Sequence, residues 1–278
     1  MPTLTMNAAQ VYYWVFGEGP ITVVGVHGAG GDHTAFEPQV EALVSHGYRL
    51  VTWDMPPFGA SRASAAPFTA RQACEDLLRL VDHLDIERPV LLGQSLGGGI
   101  AQALVKAHPD RVGALAVLGA PWITGRLRAS ERLPMKTASA VMRLMPTRRI
   151  HALMTSLVVD TSPSPRVRAE FADLIAQVPR RHLLQAVRVG GQLLDPDPSY
   201  RTPIPLCLMR GEHDVTFKVD QIMPRWAAAE GVAEVIIPKA GHVANLDAPE
   251  AFNEALLRFL GGLPSASRPS EAADSIPG

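Results

Sequence analysis

The sequence predicts an α/β fold: a mostly parallel central sheet, helices on both of its faces, and a helical insertion in the second half. Three observations predict it. Short apolar runs alternate with amphipathic segments of helical period from Val11 to Trp122, the pattern of buried parallel strands joined by helices. That rhythm stops between Pro121 and Arg201 and resumes at Leu206. Before that interruption, Gly93-Gln94-Ser95-Leu96-Gly97-Gly98 follows the apolar run Val90-Leu91-Leu92 and opens a helical segment reaching His108, so Ser95 stands at a sharp strand-to-helix turn.

The elements follow in order. Val11–Phe16 is aromatic and β-branched and is stopped by Gly17-Glu18-Gly19-Pro20, which reads as a strand entering a turn. Ile21–Val26 is too short and too apolar for a surface helix and ends in His27-Gly28-Ala29-Gly30-Gly31. A helix over Ala35–His46 is closed by Gly47, and Tyr48–Trp53 forms the next strand, ending at Asp54. Two prolines make Asp54–Ser61 a loop, because they remove N–H donors and fix local dihedrals. Thr69–Leu84 places Ala73, Leu77, Leu80, Val81 and Leu84 on one helical face, with Thr69 and Gln72 fitting a capping box. Val112–Leu118 is a further strand, closed by Gly119-Ala120-Pro121-Trp122.

From 121 to 201 the pattern is helical, broken by Pro134, Pro146, Pro163, Pro165 and Pro179, and fits a cap packed over the sheet edge better than a long unstructured loop. This stretch holds thirteen Arg or Lys against six Asp or Glu, an excess of seven positive charges. Alternation returns with a strand at Leu206–Arg210, a helix at Val219–Ala229 and a strand at Ala233–Ile237. Asp247 is expected to start the last helix, with Pro249 in its first turn and Glu250 completing the cap. The expected organisation is therefore a core of 1–120 and 202–262, a cap of 121–201, and a flexible Gly, Pro, Ser and Ala-rich tail at 263–278.

Composition bounds the function. The 278 residues are 47% hydrophobic, enough for a large core. A formal net charge of −1 gives no global argument for nucleic acid or an anionic membrane as partner. Cys74 and Cys207 are far apart, without metal-ligand spacing, and read as buried free thiols. The nine histidines show no His-x-x-x-His pair on a helix, so no metal site is expected. No basic leader precedes an apolar run at the N-terminus, and the expectation is a cytoplasmic protein acting on a small molecule; its oligomeric state is not legible.

The chemistry assembles from strand ends. A serine hydroxyl needs an imidazole to take its proton, and the imidazole needs an acceptor on its other nitrogen. Ser95, His242 and Asp214 each follow an expected strand, so they can meet at one sheet edge. The oxyanion formed during attack needs two backbone N–H donors; Leu96 at the helix start and Ala29 in the Gly-rich loop are the candidates. His27, Gly28, Gly93, Gln94 and Gly97 are read as the supporting turn. Of the neighbouring groups, His27 and His213 are read as structural, Asp54 as capping a loop, and Glu212 as a lesser alternative to Asp214.

These marks resemble the α/β-hydrolase superfamily: His27-Gly28, Asp54 through Gly59 to Ser61, Gly93–Gly98, Gly211-Glu212-His213-Asp214 and Gly241-His242. The order Ser, Asp, His matches as well. The segment Gly241–Glu250 is similar to 3-oxoadipate enol-lactonases and related esterases. Pro57 departs from the family's glycine and Gln94 from its frequent histidine. The resemblance implies an acyl-serine hydrolase of esters or lactones with no cofactor. Its alternatives are a meta-cleavage C–C hydrolase, whose members typically carry Trp where Val243 stands, a cofactor-free oxygenase, or a ligand receptor with a retained triad. Ser95 at the elbow argues against dehalogenases and epoxide hydrolases, which place Asp there. The basic excess of the cap has two readings: a solvated helical surface, or one or more arginines that face the pocket and bind a substrate carboxylate.

Overall fold

The structure, a computed structural model, describes residues 2–6, 9–63 and 68–264. An eight-stranded sheet runs through it in the spatial order β1-β2-β4-β3-β5-β6-β7-β8. Its strands are β1 (Thr3–Met6), β2 (Ala9–Phe16), β3 (Thr22–Val26), β4 (Arg49–Trp53), β5 (Val90–Gln94), β6 (Ala114–Leu118), β7 (Leu206–Gly211) and β8 (Glu234–Ile237). From β4 to β8 every neighbouring pair is parallel; β1 and β2 form an antiparallel edge. β1 has no counterpart in the sequence reading, because its alternation of Thr with Leu and Met is too short to stand out.

Side-chain alternation divides the core into two faces. Val24, Leu91, Leu115 and Leu208 point to the side covered by α2 (Ala70–His83), α3 (Leu96–Ala107) and α8 (Val219–Glu230). Val23, Leu92, Ala116 and Met209 point to the side covered by α1 (Glu37–Ser45) and α10 (Pro249–Gly261). Both faces are apolar in every central strand, which explains why these strands read as continuous hydrophobic runs. The Thr69 hydroxyl caps α2 by accepting the Gln72 N–H at 3.1 Å.

Between β6 and β7 lie four helices, α4 (Ala129–Met142), α5 (Thr147–Val159), α6 (Pro165–Ala176) and α7 (Arg180–Gln192). Pro134 does not break α4, which runs through it. The C-terminal end also differs from expectation: a four-residue helix, α9 (Ala244–Asp247), precedes α10, and Ala248 occupies the N-cap of α10. Asp247 instead folds back and accepts the Gly241 N–H at 2.8 Å. Leu263, placed in the expected tail, is buried against the core; the rest of that tail from residue 265 lies outside the described residues. Among the described residues, no helix is long and apolar enough to cross a membrane.

Candidate active site

Ser95 is the pivot between β5 and α3. Its φ of 52° and ψ of −116° lie in a region that costs a non-glycine residue on the order of 1–3 kcal/mol. Packing compels the turn. Gly28, Gly93 and Gly97 stand where the β3 loop, β5 and α3 crowd together, and a Cβ on Gly97 would lie 2.0 Å from the Val26 carbonyl oxygen. The Ser95 N–H donates to Leu118 O of β6 at 2.9 Å, fixing the elbow against the sheet.

Asp214 and His242 arrive from the loops that follow β7 and β8. Ser95 Oγ lies 2.9 Å from His242 Nε2, and His242 Nδ1 lies 2.9 Å from Asp214 Oδ2. With Asp214 ionised, Nδ1 carries the proton and donates to it, leaving Nε2 to accept from the serine hydroxyl. Asp214 is fully buried, and its other oxygen accepts the Thr216 N–H at 2.9 Å. Gly119 ends β6 with φ +54°; a Cβ there would stand 2.8 Å from Asp214 Oδ2, so glycine lets the acid lie against the strand end. Glu212 and His213, by contrast, are exposed, and Glu212 accepts the Lys239 N–H.

The structure places Ala29 and Leu96 together beside Ser95 on the wall of one cavity. Among the described residues, neither amide donates to a protein group. Leu96 is the first residue of α3, where N–H groups have no intrahelical partner. His27 braces this loop: Nδ1 donates to Gly28 O at 2.8 Å and Nε2 accepts the Met55 N–H at 3.0 Å. Its burial lowers the imidazole pKa, in keeping with a neutral ring that donates on one side and accepts on the other.

The cavity opens from Ser95 and His242 into the insertion, between Met135, Met154, Leu157, Phe171, Val187 and Phe217. Its lining is apolar apart from Gln94, Ser95, Thr216 and His242, and includes no Lys, Arg, Asp or Glu among the described residues. Of the two readings of the basic cap, the lining excludes an arginine facing this cavity and agrees with a solvated surface. Most of these basic side chains are exposed. The half-buried Arg168, Arg180 and Arg188 donate to the carbonyls of Ser162, Arg143 and Phe68. Guanidinium groups stay where water or carbonyls can satisfy them, since an unpaired charge in an apolar cavity is costly.

Asp54 does cap its loop. It is buried and accepts from the His33 N–H and His33 Nδ1, both at 2.8 Å, and from the Ala60 N–H at 2.7 Å. Asp32, His33 and Asp54 form the one group of three metal-capable side chains among the described residues. These hydrogen bonds, with Asp32 Oδ1 accepting the Thr34 N–H, engage the cluster in loop geometry.

Sequence reasoning missed several contacts around the base. Gln94 Nε2 donates to His242 O at 3.4 Å, and Thr161 Oγ1 accepts the His242 N–H at 3.0 Å. Thr216 had a readable signal, an Asp-x-Thr spacing that favours an Asx turn. Thr161 had none, because its partner is 81 residues away.

Comparisons with known proteins bear on the family and the fold. A family model described as the alpha/beta hydrolase family matches residues 23–255. A 2-hydroxy-6-oxononadienedioate/2-hydroxy-6-oxononatrienedioate hydrolase from Cupriavidus pinatubonensis is 28% identical over 259 residues, covering 88% of each chain. Two solved structures share the fold. An esterase from Thermogutta terrifontis has a TM-score of 0.78 at 23% identity, covering 92% of this chain and 94% of its own. The enol-lactonase from Burkholderia xenovorans has a TM-score of 0.78 at 24% identity, covering 94% and 100%. With the model match spanning most of its length, the chain belongs to the alpha/beta hydrolase family.

Proposed function

We propose that this hydrolase cleaves a carboxylic ester or lactone through an acyl-serine intermediate. The observation that carries the reading is the hydrogen-bonded series Asp214, His242, Ser95 opening onto an apolar cavity beside two unpaired amides. Ser95 Oγ attacks the carbonyl carbon as its proton passes to His242 Nε2. The carbonyl oxygen becomes negative and takes hydrogen bonds from the Ala29 and Leu96 amides, each worth about 3 kcal/mol in the transition state. Collapse breaks the carbon–oxygen bond to the leaving group, which takes the proton from His242. Water then attacks the acyl-serine, giving its proton to His242, and the acid departs as Ser95 Oγ recovers a proton. Asp214 orients the ring and stabilises its charged form throughout. The helical insertion acts as the cap that receives the substrate body, and its lining suits an uncharged, apolar one.

A C–C hydrolase is the second reading, supported by the activity named for the Cupriavidus relative. That name denotes a dioate, with two carboxylates, whereas this cavity offers them no cationic side chain among the described residues. The test is turnover of p-nitrophenyl esters, lactones and a ring-cleavage dioate by the wild type and Ser95→Ala. Ester or lactone turnover abolished in the variant is expected; turnover confined to the dioate would overturn the ester reading in favour of the second.

A further inference from the structure

The segment from Leu157 to Ser162, at the C-terminal end of α5, touches the loops that carry both the acid and the base. Thr161 Oγ1 accepts the His242 N–H at 3.0 Å. The Ser162 hydroxyl donates to Asp247 Oδ1, and Asp247 Oδ2 accepts the N–H of Gly241 at 2.8 Å. Arg168 Nη1 secures this turn by donating to Ser162 O at 2.7 Å. On the acid side, Leu157 O accepts from Thr216 Oγ1 at 2.9 Å, and the Thr216 N–H donates to Asp214 Oδ1 at 2.9 Å. The approach is close: a Cβ on Gly241 would lie 2.3 Å from Thr161 O.

We propose that this end of α5 is a positioning element for His242 and Asp214, through which filling of the cavity is coupled to alignment of the acid and base with Ser95. The proposal rests on the serine-hydrolase reading above. His242 sits between β8, which ends at Ile237, and α9, which begins at Ala244, so it belongs to no strand or helix, and among the described residues its carbonyl is held only by Gln94 Nε2 at 3.4 Å. Its N–H is held by Thr161. The residues just before this contact, Met154, Leu157 and Val158, form a wall of the cavity. An apolar substrate packed on that wall restricts the end of α5 and, with it, the position of the imidazole. Part of the binding energy of the substrate body is then expressed in kcat, because it serves orientation at the reacting centre.

The test measures kcat and KM for p-nitrophenyl acetate, butyrate and octanoate with wild type, Thr161→Val, Thr161→Ser and Thr216→Val, alongside thermal unfolding. In the wild type, kcat should rise with acyl length until the cavity is filled. Thr161→Val should lower kcat for the best ester about tenfold, the scale of a small misplacement of a catalytic group. KM should stay within about twofold, and the dependence of kcat on acyl length should flatten. Thr161→Ser keeps the acceptor oxygen and should restore both. Thr216→Val, which cuts the acid-side contact, should flatten the dependence independently, and it carries the test if Thr161→Val fails to fold. Unchanged kcat profiles in folded Thr161→Val and Thr216→Val would overturn the coupling, as would effects confined to KM. Those results with Ser95-dependent turnover intact would leave the hydrolase reading standing; no Ser95-dependent turnover on any substrate would overturn both.

Discussion

The buried carboxylate of Glu131 on α4 accepts a hydrogen bond from Arg225 Nη2 of α8 at 2.8 Å, joining the insertion to the helical layer over the sheet. Its second oxygen accepts the Arg128 N–H at 2.7 Å. Burial pushes the Glu131 pKa up, but the Arg225 guanidinium and the Arg128 N–H outweigh it and hold the carboxyl below its ordinary range. A depressed carboxylate stabilises above its unfolded pKa and loses that contribution as pH falls through the folded value. Glu131→Gln should cost about 1–2 kcal/mol at pH 7, the low end for a charged hydrogen bond because Arg225 is a third exposed. Urea unfolding should show the deficit shrinking toward acid pH.

Asp54 and His33 make a second pH-dependent contact. Burial opposes charge on each, yet their mutual hydrogen bond, with the Ala60 and His33 N–H groups on Asp54, lowers the Asp54 pKa and raises that of His33. The His33 contribution is full below its unfolded value and is lost as pH rises through the raised one. Asp54 contributes above its unfolded value and loses this as pH falls through the lowered one. His33→Gln should therefore reduce the loss of stability on the alkaline side of neutrality. Unfolding midpoints from about pH 6 to pH 8.5 check this; identical slopes in wild type and variant would contradict it.

His27 connects two loops that no strand pairing holds. His27→Ala would leave the buried Met55 N–H without its acceptor and release Gly28 O. The expected cost is about 1–3 kcal/mol in stability. The loop carrying Ala29 should loosen as well, so kcat falls with KM little changed. Steady-state kinetics on a short ester, with calorimetry, separate the two effects.

Both cysteines are free, but only Cys207 is buried; Cys74, expected to be buried as well, is half-buried because its place on α2 lies at the margin of the core. Burial pushes Cys207 up to about 12, and partial burial with the Glu75 charge pushes Cys74 up to about 12. Little thiolate, the reactive form, is then present at neutral pH. Both thiols should react with a disulfide reagent only after unfolding, and iodoacetamide should leave hydrolysis intact. Rapid labelling of either thiol in the folded protein would contradict this.

The central strands and their order along the chain were legible, unlike the edge strand β1, because each is apolar on both faces, as in Val90–Leu92 and Ala114–Leu118. The elbow was legible because its glycines are adjacent in sequence. What was not legible depends on distant partners. The destination of Asp247 is decided by Gly241 and Ser162, and local helix chemistry around Pro249 pointed elsewhere. The basic excess of the insertion suggested an anion site, but charge counts do not say which way a side chain faces. Pro134 lies within α4, so a proline inside a helical pattern misplaced an expected break.

The central claim is covalent catalysis at Ser95, and intact-mass analysis tests it most directly. Wild type treated with a fluorophosphonate, or quenched during turnover of a slow ester, should gain a single adduct per chain that peptide mapping places on Ser95, while Ser95→Ala gains none. Adduct of equal yield in the variant, or ester turnover that survives Ser95→Ala, would contradict it.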